Sequence, residues 1–365
     1  MLRHSKVAFC WLVIIGNLFA FAVAAQAQKT FTDGPYIFTS GDTTVQYESK
    51  IVISSSQKDL PGVRANTLIQ VEDDTNGQFI VKLKEEYNPE PSEYKKSRKM
   101  VVISDIEGNF TAFKKLLIAT GVIDKTYQWN FGKGHLVLTG DYFDRGNKVV
   151  ETLWLIYKME QQAENNGGKV HFILGNHETM NLQGDLRYVH PKYQFTAQAL
   201  GKPLSELYSE DTELGKWLRT KNIIEKIGDH LFVHAGISEE VNNLNLSVPQ
   251  INEAARPVLD QYKRHESDTL QTLMWDKGPL WYRGYYGKEP VSHEVIETTL
   301  KSHNVTKIIT GHTVVADSIS SWYNGKVINI DTPHSHGKSE ALLIRKGKYY
   351  RITADGDRFP LFDKK

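Results

Sequence analysis

The stretch Val101-Val102-Ile103-Ser104-Asp105-Ile106-Glu107-Gly108-Asn109 decides the fold, because an apolar run ending in polar residues and glycine recurs twice soon after it. Leu136-Val137-Leu138-Thr139 runs into Gly140-Asp141-Tyr142-Phe143-Asp144-Arg145-Gly146, and Phe172-Ile173-Leu174 into Gly175-Asn176-His177-Glu178. Phe110 to Ala119 and Val149 to Gln162 lie between these runs and read as helices. Strand, polar cluster, helix and next strand make a repeated βαβ pattern, the mark of an α/β fold.

In an open α/β sheet, ligands bind beyond the carboxyl ends of the strands, so Asp105, Asp141 and Asn176 are expected along one rim. Two further runs extend it: Leu231-Phe232-Val233 opens onto His234-Ala235-Gly236, and Lys307-Ile308-Ile309-Thr310 onto Gly311-His312-Thr313. Two carboxylates, an amide and two imidazoles, with Asp141 placed to bridge, suit two divalent ions better than one. Ions on the order of 4 Å apart clamp the attacking and leaving oxygens of an in-line displacement at phosphorus.

With these motifs in order, the chain resembles the calcineurin-type metallophosphoesterases. Gly-Asp-x-x-Asp-Arg-Gly and Gly-Asn-His-Glu are motifs of the phosphoprotein phosphatase (PPP) group. Within it the chain looks most like the bacterial Shewanella-like phosphatases and the related diadenosine tetraphosphatases. The resemblance spans roughly residues 100 to 335. It implies a four-layer sandwich of two mixed β-sheets flanked by helices. It also implies a first metal site from Asp105 and Asp141, and a second from Asp141, Asn176, His234 and His312. His177 would be the general acid, oriented by Asp144. Arg145 would clamp phosphate oxygens, with Arg283, from Met274-Trp275-Asp276-Lys277-Gly278-Pro279-Leu280-Trp281-Tyr282-Arg283, as a second clamp.

One position departs from the family, whose first motif is Asp-x-His-Gly, since residue 107 is Glu. Glu107 is expected to be a ligand of site one, with outer hydrogen bonding as the alternative. An all-oxygen site favours Mn²⁺ or Mg²⁺ over Zn²⁺, so the expected cofactors are two divalent ions, Mn²⁺ first and Mg²⁺, Fe or Zn²⁺ after it. His334 or His336 is the lesser candidate for the missing nitrogen; their loop reads as pocket edge.

At the N-terminus, Arg3, His4 and Lys6 precede an apolar run from Val7 to Ala25, and Ala25-Gln26-Ala27 is a small-x-small cleavage site. Residues 1–27 therefore read as a secretory signal peptide rather than a retained anchor. The expected location is periplasmic or extracellular. Its removal takes away Cys10, the one cysteine, and moves the formal charge from +1 to −1, so neither thiol chemistry nor a pull toward nucleic acid is expected. Residues 28–92 alternate apolar and polar positions, as in Thr44–Tyr47, Ile51–Ile53, Leu68–Val71 and Phe79–Leu83, with a turn at Asp73–Gly77. They read as a small β-rich module ahead of a catalytic domain over 93–365.

Thr179 to Gly228 reads as helical, with Tyr188, Tyr193, Leu207, Tyr208, Trp217 and Leu218 taken as core. Trp275, Trp281, Tyr282, Tyr285 and Tyr286 around Arg283 read instead as a wall for a phenyl ring or a nucleobase. His171, His190, His230, His265, His293 and His303 lack such context. After His312, Lys326–Ile330, Ala341–Arg345 and Lys348–Thr353 read as strands, the last two joined by Lys346-Gly347.

The expected activity is hydrolysis of phosphate monoesters by metal-activated hydroxide, acting on a small phosphorylated substrate or a phosphopeptide. Alternatives are a dinucleoside polyphosphate or other nucleotide phosphohydrolase, a protein phosphatase (tyrosine or serine/threonine), and a non-catalytic metal- or phosphate-binding protein. No Gly-x-Ser-x-Gly, Walker loop or Cys-x-x-Cys occurs, which removes the serine hydrolase, nucleotide kinase and thiol redox classes.

Overall fold

The structure is a computed structural model that describes residues 32–40, 43–50, 54–59, 66–73, 77–261 and 267–362. The signal peptide, the Ile51–Ile53 run, the middle of the Asp73–Gly77 turn and His265 lie outside them.

Two six-stranded sheets face each other. In spatial order the first contains Arg358–Pro360, Lys348–Thr353, Glu340–Arg345, Lys99–Ile103, His135–Leu138 and Lys169–Phe172. The second contains Ser320–Trp322, Val327–Asn329, Lys307–Thr310, His230–Val233, Ile224–Ile227 and Glu93–Tyr94. Both are mixed: Lys99–Ile103, His135–Leu138 and Lys169–Phe172 run parallel, and Glu340–Arg345 pairs antiparallel with the first of them.

Why the strands read as unbroken apolar runs follows from their two faces. Met100 and Val102, Val137, Phe232, Ile309, Ile328, Leu342 and Ile344 meet in the layer between the sheets. Their neighbours Val101, Ile103, Leu136, Leu138, Leu231, Val233 and Ile308 point outward into a second core shared with the helices. A strand buried on both sides has no polar alternation to show. Helices Phe110–Ala119 and Val149–Asn165 follow the first two strands, the former capped by Asn109, whose side chain accepts from the Ala112 amide at 3.1 Å.

Two local readings need correction. The third strand is Lys169–Phe172; Ile173 still donates its amide to the Leu138 carbonyl at 2.8 Å, and Ile173 and Leu174 then bridge to Asn222 and carry the chain into the Gly175 loop. Within the supposedly helical Thr179–Gly228, Ile224–Ile227 is a strand, paired antiparallel with His230–Val233. Both errors have one cause. His171 and Glu225 are polar residues on inward-facing strand positions, and they satisfy each other between the sheets at 2.7 Å (Nδ1 to Oε2), so polarity there does not mark an edge or a helix.

Ahead of the sandwich, Thr32–Ser40, Thr43–Lys50 and Ser54–Asp59 form one antiparallel sheet, and Leu68–Glu72 pairs with Gln78–Lys82. Tyr36, Ile37, Phe38, Val71 and Val81 join the same core as Leu153 and Trp154. Polar ties reinforce this contact: Trp154 Nε1 donates to the Pro35 carbonyl at 2.9 Å, and buried Asp33 pairs with Lys192 at 2.7 Å and accepts from Thr196 Oγ1 at 2.7 Å.

Candidate active site

The loops that follow Lys99–Ile103, His135–Leu138, Lys169–Phe172, His230–Val233 and Lys307–Thr310 each contribute at least one candidate residue. Asp105, Glu107, Asp141, Asp144, Arg145 and His312 all have positive φ, between 48° and 68°. Such backbone costs a non-glycine residue of order 1–3 kcal/mol, and it persists where the surrounding structure enforces it, typically at functional sites. Gly140 takes φ 92°, and a Cβ there would stand 2.5 Å from the Gly175 nitrogen and 2.8 Å from His234 Nδ1. Its glycine is what lets the Asp141 and Asn176 loops touch.

His234 lies at the centre. Its Nδ1 donates to the Thr139 carbonyl at 2.7 Å, which turns Nε2 toward Asn176 Oδ1 at 3.0 Å, His312 Nδ1 at 3.0 Å and Asp141 Oδ2 at 3.2 Å. Three lone-pair donors thus converge around a fourth. Burial alone would lower the His234 pKa, yet Asp141 and Asp105 push it up to about 10. The Asp141 carboxyl, with burial working against it, is held well below the carboxylate range by His234 and His177. His312 moves the opposite way, lowered by burial and by the charge on His234. These donors have the composition of a divalent-ion site, and Asp141, His234 and His312 can place one ligand atom each within 4.8 Å of one another. The residues fit a metal.

A second group able to hold an ion is Glu107, Asp141 and His177. Glu107 also forms an ion pair with Arg145. Asp105 is buried beside them; its carboxylate accepts from the His312 amide at 3.1 Å and from Ser104 Oγ. Burial, offset by His234 and reinforced by Asp141, pushes Asp105 up to about 6. His334 does not supply the missing nitrogen: Nε2 bonds the Ser104 carbonyl and Nδ1 bonds Ser339 Oγ, each at 3.0 Å, behind Asp105. His336 is exposed.

His177 Nδ1 is 2.6 Å from Asp144 Oδ2, while Nε2 faces Asp141 Oδ2 at 3.8 Å. Asn181, one helical turn on, donates to Asp144 Oδ1 at 2.8 Å and fixes that carboxylate. Burial opposes a proton on His177, but Asp141 and Asp144 outweigh it and raise its pKa. Arg283 is exposed, and its Nη1 donates to the His312 carbonyl at 2.9 Å and to Thr313 Oγ1 at 3.1 Å, which keeps the guanidinium at the edge of the cluster.

Several residues gain roles that the sequence reading did not give them. Buried Glu178 accepts from the amides of Gly175, Asp141, Tyr142 and Phe143 at 2.7, 2.8, 2.7 and 3.3 Å, and so staples the two motif loops together. Its only sequence signal was its place after His177. Buried Asp331 follows the Val327–Asn329 strand, and its carboxyl is pushed well above the carboxylate range by burial and by Asp105 and Asp141. It ends an apolar run as the other candidates do. Tyr188 is not core: it is 46% exposed, its ring lies tilted against that of His177 with centroids 5.3 Å apart, and its carbonyl accepts from the Arg145 amide at 2.9 Å. Conversely, Tyr282, Tyr285 and Tyr286 are buried core residues, whereas Trp275 and Trp281 of the expected aromatic wall line a cavity.

Comparison with known proteins agrees with this geometry. Residues 98–316 match the calcineurin-like phosphoesterase model. An uncharacterised protein of Schizosaccharomyces pombe is 33% identical over 63% of this chain and 71% of its own length. Shewanella-like protein phosphatase 2 of Arabidopsis thaliana is 27% identical, over 71% of this chain and 78% of its own. Among solved structures, the cold-active protein-tyrosine phosphatase of a psychrophilic Shewanella species superposes with a TM-score of 0.83 at 37% identity, over 91% of this chain and 100% of that one. The chain therefore belongs to the calcineurin-like phosphoesterase family, as a metal-dependent phosphoester hydrolase of the Shewanella-like phosphatase type.

Proposed function

We propose that the chain is an exported phosphomonoesterase that works with two divalent ions, Mn²⁺ foremost. The observation that carries this reading is the placement of His177: one ring nitrogen rests on Asp144 at 2.6 Å, and the other faces Asp141, the carboxylate common to both ligand groups. A pure binding protein has no use for an acid positioned in this way.

In this reading Asp105, Asp141 and Glu107 hold one ion, and Asp141, Asn176, His234 and His312 hold the other. When bound, the ions supply Lewis acidity and an activated water at neutral pH. The chain's own groups do the rest. Arg145 and Arg283 neutralise the phosphoryl oxygens, and Glu107 must release Arg145 for it to do so. His177 gives the proton on Nε2 to the departing ester oxygen, while Asp144, held by Asn181, keeps the proton on Nδ1 in place. No side-chain nucleophile is needed. The small-x-small signature at Ala25-Gln26-Ala27 supports export, which leaves a mature chain that starts with a β-rich module over 28–92.

A second reading, phosphotyrosine in proteins as substrate, is favoured by the Shewanella enzyme described as a protein-tyrosine phosphatase. The test of the main reading is hydrolysis of p-nitrophenyl phosphate by metal-stripped protein resupplied with Mn²⁺, Mg²⁺, Zn²⁺ or Ca²⁺. Turnover restored by Mn²⁺, with hydrolysis of phenyl phosphate lost in His177→Ala, supports it. No turnover with any ion, alongside tight binding of one metal per chain, leaves the binding-protein alternative instead. N-terminal sequencing of exported protein that starts anywhere but Gln28 would overturn the cleavage site.

A further inference from the structure

We propose that Asp33 and Lys192 are positioning residues through which the first strand, Thr32–Ser40, holds the loop that carries Asp144 and Arg145; this rests on the phosphomonoesterase reading above. The link is continuous. The Lys192 ammonium pairs with Asp33 Oδ1 at 2.7 Å and donates to the Asn147 carbonyl at 2.7 Å, two residues past Arg145. Asp33 is fixed in turn, because its Oδ2 accepts from the Tyr36 and Thr196 hydroxyls at 2.9 and 2.7 Å. Both charges are shut away from water, Asp33 being 1% and Lys192 6% exposed.

Lys192 is the middle of three grips on the loop. The Arg145 amide donates to the Tyr188 carbonyl at 2.9 Å, and the Val149 amide to the Tyr193 hydroxyl at 2.8 Å. Residues 145, 147 and 149 are thus all held by the segment 188–193. The residues between them, Gly146 and Lys148, donate their amides to the Glu107 and Gly108 carbonyls at 2.9 and 3.2 Å. Such holding matters because Asp144 and Arg145 both have positive φ, a backbone that persists only where neighbours enforce it. A buried ion pair is itself a poor source of stability, since desolvation offsets its attraction. Its use lies in where it points, which is the backbone beside Arg145. The loop decides how Asp144 meets His177 Nδ1 and where the Arg145 guanidinium stands. A misplacement of about 1 Å at a reaction centre can cost roughly a hundredfold in rate.

The experiment compares the unaltered chain with Lys192→Met, with the double variant Asp33→Asn/Lys192→Met, and with Trp154→Phe. The double variant removes the pair as a whole, so no lone charge stays buried and the chain folds even where Lys192→Met does not. Trp154→Phe is the control: it deletes the bond to the Pro35 carbonyl, loosening the same strand without touching Lys192. With Mn²⁺ bound, kcat on phenyl phosphate should fall roughly tenfold or more in the double variant, and by more than kcat on p-nitrophenyl phosphate. Trp154→Phe should unfold at lower urea and keep its kcat. In metal-free protein, amide exchange over residues 144–149 should quicken severalfold in the double variant, with residues 175–178 unchanged. Unchanged kcat on phenyl phosphate in the folded double variant, an equal loss in Trp154→Phe, or unchanged exchange over 144–149 overturns the proposal. Exchange is read without turnover, so a chain that hydrolyses neither ester fails the parent reading by a separate result.

Discussion

The carboxylate of Glu107 is ion-paired with the guanidinium of Arg145, so the residue that stands where the family motif has histidine is held by the candidate phosphate clamp. A histidine there would not tie up Arg145 in this way. The pair links two functions: whatever draws Glu107 inward toward Asp141 also frees Arg145 for phosphate.

Glu107→Gln tests that link. Loss of one carboxylate should reduce the bound Mn²⁺ from two ions per chain to about one, and kcat with p-nitrophenyl phosphate should fall at least tenfold. Metal-free Glu107→Gln should bind inorganic phosphate more tightly than the metal-free unaltered chain, because Arg145 no longer has a competing anion. Titration calorimetry reads both effects. Unchanged stoichiometry together with unchanged phosphate affinity would mean that Glu107 neither ligates nor competes.

His177 and Asp144 should act as one unit. General acid catalysis contributes roughly 10²–10⁴ in rate, so His177→Ala should lose about that much on phenyl phosphate and much less on p-nitrophenyl phosphate, whose leaving group needs no proton. The raised pKa of His177 puts the alkaline fall of kcat above the ordinary histidine value of 6.5, since activity is lost only when the acid form disappears. Asp144→Asn removes a carboxylate that favours the charged ring, so the fall should move to lower pH. A limb that stays in place would separate His177 from that titration.

The strand-end rule picked out Asp105, Asp141, Asn176, His234 and His312 as candidates because each follows an apolar run, and a run buried on both faces is hard to mistake. What stayed hidden depends on three-dimensional partners. Glu178 acts through four backbone amides contributed by two loops, and Asn181 through a carboxylate that only the helix brings near. The aromatic wall failed for a similar reason. Tyr285 has the same composition signal as Trp281, yet its hydroxyl accepts from the Ile237 amide at 2.9 Å and its ring is fully buried.

Glu178→Ala should be costly although the residue touches no substrate. It leaves the Gly175, Asp141 and Tyr142 amides without an acceptor in a buried place, and each unsatisfied donor costs about 1–3 kcal/mol before relaxation. A loss of about 3 kcal/mol or more in urea unfolding of metal-free protein is expected, with metal affinity falling in parallel because the Asp141 loop is no longer held against the Gly175 loop. Stability equal to that of the unaltered chain would show that water takes over all the bonds.

His334 sets a pH dependence that is separate from catalysis. Its Nε2 faces the Ser104 carbonyl, which can only accept, so Nε2 carries the proton and Nδ1 accepts from Ser339 Oγ. The neutral ring satisfies both partners, and a second proton would break the Ser339 bond. Burial lowers its pKa from 6.5 to about 4. Between these values the unfolded chain binds a proton that the folded chain refuses. The stabilisation is therefore fully present above pH 6.5 and drains away as pH falls toward about 4, by up to about 3 kcal/mol. In His334→Gln the side-chain amide can still donate to Ser104 but does not titrate. Urea unfolding of metal-free protein from pH 7.5 to 4 should thus lose about one proton from the slope of stability against pH. A slope as steep in His334→Gln as in the unaltered chain would assign the acid sensitivity to other groups.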